Sequence, residues 1–84
     1  MVRFRQRAEY SEESDALYVH LSGAEVARSK QLDDARVIDV SADGAVVGIE
    51  LLGVGGGVDL SDIPHRATVE KLIGELGLGI RIFA

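Results

Sequence analysis

Residues 37–52, VIDVSADGAVVGIELL, constrain the fold more than any other stretch of this chain. Two runs rich in β-branched residues flank Asp43-Gly44, a dipeptide suited to the positive φ angles of a tight hairpin turn. Two registers satisfy it. A two-residue turn at Asp43-Gly44 sets Val40 opposite Val47 and Ile38 opposite Ile49. A three-residue turn, Ala42-Asp43-Gly44 with Gly44 left-handed, moves the pairing by one and sets Asp39 opposite Val47. The first is preferred because its cross-strand pairs are uniformly apolar. Both strands carry few polar positions, so the hairpin is expected in the middle of a sheet with both faces at least partly covered.

The flanking segments read as strands that extend this hairpin. Over residues 2–10, Val2, Phe4, Ala8 and Tyr10 share one face with Gln6, while Arg3, Arg5 and Arg7 share the other, the period of a half-buried strand. The arginine stripe reads as a solvated face paired with carboxylates, or as an anion or nucleic-acid contact; the acidic balance of the chain favours the first. The polar turn Ser11-Glu12-Glu13-Ser14-Asp15 leads into residues 16–21, with Leu17, Val19 and Leu21 on one face and Ala16, Tyr18 and His20 on the other. Asp15 is placed to bond nearby backbone amides. Residues 25–32 alternate less well and predict an edge strand, where Arg28 and Lys30 discourage unwanted pairing.

The second half changes character. Gly53-Val54-Gly55-Gly56-Gly57 resembles a phosphate-cradling loop only in its glycines: Val58-Asp59-Leu60 follows it and no lysine intervenes before Lys71, so it reads as a link that breaks the sheet. Val69, Leu72, Ile73 and Leu76 then recur at helical spacing and predict a helix over residues 64–76, with Ser61 or Asp62 as cap and Gly74 allowing close packing. The last residues, 80–83, alternate again as a short strand that pairs within its own sheet or adds to the edge of another subunit.

Eighty-four residues with no cysteine make one expected domain, near the lower limit of what folds without disulfides or metal. A composition 46% hydrophobic argues for a folded chain, and ten glycines add to the entropic cost of ordering it. Burial between subunits offsets that cost, so a homo-oligomer is expected. A net charge of −5 disfavours nucleic acid and anionic membranes and suits a basic protein partner or plain solubility. No apolar run has the ~20 residues of a spanning helix, and MVRFRQRAEY lacks the apolar core of a signal peptide. A cytoplasmic location is the expectation.

With the strands placed, the chain resembles a family of small bacterial and archaeal domains, DUF2283. The residues that carry the resemblance are Tyr10-Ser11-Glu12-Glu13-Ser14-Asp15-Ala16-Leu17-Tyr18-Val19, then Val37-Ile38-Asp39-Val40, then Gly44 and Val46-Val47-Gly48-Ile49-Glu50-Leu51-Leu52. The resemblance covers roughly residues 8–52, over half the chain. The resemblance implies a compact β-meander. Because members often lie beside small toxin-like genes, it also implies an antitoxin or partner-binding role. It brings no catalytic residues to carry over.

Residues able to do chemistry are sparse. His20 and His65 are the only histidines and are far apart in sequence, so no metal-ligand spacing is present and neither metal nor cofactor is expected. Nucleophilic catalysis has no cysteine and no serine in a G-x-S-x-G elbow to use. Asp39 and Glu50 lie in otherwise apolar strands. An ionised carboxylate there must reach solvent or an arginine, with Arg3, Arg5, Arg7 and Arg36 as candidates. His20 is placed to approach Glu50 or Asp39 if their strands are close. The candidate binding residues are therefore Tyr18, His20, Asp39 and Glu50.

These features predict an α+β domain spanning residues 1–84. It is an antiparallel β-meander of about five to six strands over residues 2–52, a glycine-rich link over 53–57, one helix on one face, and a short last strand. The leading functional expectation is a self-associating protein-interaction module, with the antitoxin-like role that the resemblance implies, rather than an enzyme. The alternatives are a small-ligand-binding protein or enzyme using the polar face around Tyr18, His20 and Glu50, and an accessory domain with no ligand of its own.

Overall fold

The computed structural model describes residues 3–83. Val2, expected on the first strand, lies outside them, and residues 3–6, expected on the same strand, are not part of it, since it begins at Arg7. Seven strands and one helix follow in the order β1 (Arg7–Ser11), β2 (Ala16–His20), β3 (Arg28–Asp33), β4 (Arg36–Val40), β5 (Val46–Leu52), β6 (Val58–Asp59), α1 (Arg66–Gly74) and β7 (Ile82–Phe83). The first five form one antiparallel sheet, so the fold is α+β as expected. Its order, β1-β2-β5-β4-β3, is not strictly sequential. Two antiparallel units, β1–β2 and β3–β4–β5, are joined through β2 and β5. The most apolar strand thereby takes the centre: Val47, Gly48, Ile49 and Leu51 of β5 are all buried. Strand β3 is an edge, and nearly all of it is exposed.

The central hairpin uses both candidate registers in turn. At its tip the Ser41 amide donates to the Ala45 carbonyl at 2.9 Å and the Gly44 amide to the Ser41 carbonyl at 2.9 Å, closing a three-residue loop over Gly44 at φ +87°. Val40 accordingly faces Val46, not Val47 as preferred from sequence. The register then shifts, leaving Val47 as an extra residue, and Asp39 faces Gly48 and Ile38 faces Ile49. The bulge reconciles two demands. The loop needs a left-handed glycine, and the body of the sheet needs isoleucine opposite isoleucine. The displaced Val47 carbonyl is satisfied by the Leu21 and Ser22 amides at 2.8 and 3.0 Å.

One face of the sheet is packed and the other is open. Leu17, Val19, Ile49 and Leu51 meet Val54, Val58, Leu60 and Ile63 and the helix residues Val69, Leu72 and Ile73 in one core. The helix lies against β1 and β2. Its start differs from the sequence expectation: His65, left-handed at φ +56°, is the cap residue, and no side chain caps the helix. Pro64 lies just outside it. Ser61 instead offers its carbonyl to Arg36 at 2.5 Å, and Asp62 is itself left-handed at φ +60°. Gly74 has open space where a side chain would be, so it serves no close packing.

Two polar residues fasten the irregular segments to the sheet. Arg36, buried on β4, donates to both the Asp59 and Ser61 carbonyls and pairs with the Asp33 carboxylate at 2.8 Å. Asp15 accepts from the Gly55 amide at 3.1 and 3.0 Å and from the Tyr10 hydroxyl at 3.0 Å. Its carboxylate therefore holds an amide 40 residues away rather than the local amides expected. The glycine-rich link becomes a short 3-10 turn (Val54–Gly56) anchored at that point. The last strand pairs in parallel with β6 rather than with the main sheet.

Candidate functional site

The open face is built from two rows that cross all five strands. Glu9, Tyr18, Glu50, Val37 and Gln31 are successive cross-strand partners in one row. Arg7, His20, Gly48, Asp39 and Ser29 form the next. All four residues singled out from the sequence, Tyr18, His20, Asp39 and Glu50, therefore share this face, and all four are half-buried.

Tyr18 is its centre. Its hydroxyl donates to Asp39 Oδ2 at 2.8 Å, reaching from β2 over β5 to β4, two strand spacings or about 9.5 Å. That crossing depends on Gly48. A Cβ at Gly48 would lie 2.2 Å from the Tyr18 hydroxyl oxygen and 2.4 Å from Cζ, so any other residue lifts the ring off β5. Ser29 on β3 donates to the other Asp39 oxygen at 2.6 Å. On the opposite side, the His20 ring stands edge-on to Tyr18 with centroids 4.6 Å apart, and its Nε2 pairs with Glu9 Oε1. Glu9 also receives Arg7 at 3.4 Å.

Several sequence expectations change here. Asp39 accepts hydrogen bonds from two hydroxyls rather than pairing with an arginine, because Arg36 points to the packed face and pairs with Asp33 and Asp59. His20 meets Glu9 on the neighbouring β1, not Glu50 on its other neighbour β5, and Asp39 lies two strands off. Among the described residues Glu50 makes no side-chain hydrogen bond; it stands between Tyr18 and Val37 in its row. Gly48, Glu9 and Ser29 were not singled out from sequence. A glycine inside an apolar strand was the available signal for the first, since it marks a close approach.

The electrostatics favour a hydrogen-bond donor over a nucleophile. Burial, then the bond to Asp39, then the charges of Asp39 and Glu50 push the Tyr18 hydroxyl well above its ordinary range. It stays protonated at neutral pH and donates. Asp39 is occupied on both oxygens. A hollow of about 280 Å³ beside Glu9, Ser14, Tyr18 and Glu50 brings together two of the four candidates and leaves His20 and Asp39 outside. Among the described residues no three histidine, aspartate or glutamate side chains are grouped to hold a metal ion. No helix of the described chain is long and apolar enough to cross a membrane.

A family model described as a protein of unknown function (DUF2283) matches residues 7–54. The matched residues run from β1 to the start of the 3-10 turn, so they contain the whole five-stranded sheet and every residue of the two rows; α1 and β7 lie beyond them. No curated protein and no solved structure matches the chain. With more than half of its length covered, the chain belongs to the DUF2283 family.

Proposed function

We propose that this protein is an interaction module that binds another protein through the open sheet face and associates with itself. One observation carries the reading: most polar side chains of that face are already tied to one another, Tyr18 and Ser29 to Asp39 and His20 to Glu9. A surface ordered before contact loses little side-chain entropy on binding. It also places an aromatic ring at its centre, the residue type that most often anchors a protein interface. The same bonds occupy Tyr18, His20 and Asp39 and leave Glu50 as the one candidate without a side-chain partner among the described residues, which favours recognition over catalysis.

The net charge of −5 suits a basic partner. A small toxin would fit that description, in line with the antitoxin-like role that the family resemblance implies, and the module would then act in the cytoplasm. The test is a pull-down from the source organism with the wild type and with Glu50→Lys, which reverses one charge on the open face. The reading expects a basic protein retained by the wild type at stoichiometric yield and reduced at least tenfold by the variant, about 1.4 kcal/mol of binding. Equal retention by both would place any interaction elsewhere on the molecule.

A further inference from the structure

The segment that ends in β7 is held lightly but fits closely. After α1 the chain turns through Gly77, Leu78 and Gly79, with φ +65° and +68° at the two glycines and Leu78 53% exposed. It then reaches β6, where the Val58 and Leu60 amides donate to the Arg81 and Phe83 carbonyls, each at 2.8 Å. A parallel ladder of two residues is a weak tether. A cleft of about 260 Å³, bordered by Tyr10, Asp15, Gly55, Leu78 and Arg81, separates this connection from the body.

The side chains supply the fit. Ile80 and Ile82 pack half-buried against the core. The Phe83 ring occupies the space that a side chain at residue 57 would take: a Cβ on Gly57 would lie 2.2 Å from Phe83 Cε2. Phe83 nonetheless remains 49% exposed.

A slot that accepts residues 80–83 of its own chain accepts the same residues of a second copy with the same contacts. Only the connection, residues 77–79, differs between the two arrangements. Glycines at both ends let that connection pass from turned to extended without a steric barrier. Exchange of an identical element is a low-cost route to a dimer under these conditions. We infer that two copies of this protein exchange residues 80–83, each laying Ile80, Ile82 and Phe83 into the β6 slot of the other. This rests on the self-association proposed above and names its interface.

The cysteine-free chain makes the test direct. Asp59 and Phe83 are register partners across β6 and β7, as are Val58 and Ile82. In Asp59→Cys/Phe83→Cys, and in Val58→Cys/Ile82→Cys, which keeps Phe83, oxidation links the pair within one copy in the closed form and between two copies in the exchanged form. After refolding at rising concentration, from low micromolar to hundreds of micromolar, a non-reducing gel should show a linked dimer. Its fraction should rise several-fold and exceed that of the single-cysteine controls. Adding Gly57→Val, which fills the slot, should abolish that excess. A linked monomer at every concentration in both double variants overturns the exchange. If the wild type is then a dimer by light scattering, self-association stands and only this interface is wrong; if it is a monomer throughout, both fail.

Discussion

The Tyr18 hydroxyl lies on a half-buried ring between two carboxylates, Asp39 through a hydrogen bond and Glu50 through space, and each of these raises the pH at which it ionises. The unfolded chain lacks that environment and releases the proton near pH 10, about the ordinary tyrosine value. Because the folded value is the higher one, the stability tied to the neutral hydroxyl is fully present below about pH 10 and is lost as pH rises toward the folded value. Denaturant midpoints measured across alkaline pH should fall for the wild type and fall less for Tyr18→Phe. At neutral pH that variant should cost about 1 kcal/mol, the worth of one hydrogen bond. Gly48→Ala tests the crossing itself. Its added methyl displaces the ring, so the Tyr18 absorbance titration, read in a Tyr10→Phe background, should move down toward the ordinary value. An unchanged titration would mean that the ring does not depend on residue 48.

At the scale of elements, two side chains hold what periodicity alone would leave loose. Arg36 fastens the segment around β6 to β4, and its replacement by methionine should cost about 2–3 kcal/mol for bonds made by a charged donor. Denaturant unfolding reads the loss, and amide exchange should rise first at residues 58–61. Asp15 fastens the glycine-rich link. Asp15→Ala loses both Gly55 contacts and the Tyr10 bond, for about 1–2 kcal/mol, whereas Asp15→Asn keeps an acceptor and tolerates the left-handed backbone at φ +50°. Faster exchange at Gly55 in the alanine variant, with little change in the asparagine one, is the expected pattern. These contacts also mark where sequence reading stops. Alternation placed Tyr18 and His20 on one face of their strand because side-chain direction in a strand is local; that Asp39 and Glu50 share it follows from the sheet's register. It could not pair Asp15 with Gly55, 40 residues on, or choose Glu9 over Glu50 for His20, since the strands on both sides of β2 offer a carboxylate. The bulge at Val47 was hidden for a related reason: the turn and the sheet body each specified a register, and only the folded chain shows both satisfied.

At the scale of the whole molecule, the carboxylates set the acid limit as Tyr18 sets the alkaline one. Hydrogen bonds from Arg36 to Asp33, from Ser41 to Asp43 and from Ser61 to Asp59 hold these three groups below the usual carboxylate range. Their contribution is present above about pH 4 and is lost as pH falls through their folded values. Stability should therefore form a plateau from about pH 4 to about pH 10, and a maximum confined to one end would contradict this assignment. A small sheet with an ordered open face, an exposed edge strand and a lightly tethered last strand is proposed as half of an assembly. Light scattering on the wild type at tens of micromolar and neutral pH tests this most directly. The expected mass is twice that of the 9.0 kDa chain. A mass of 9.0 kDa that persists up to hundreds of micromolar would contradict it.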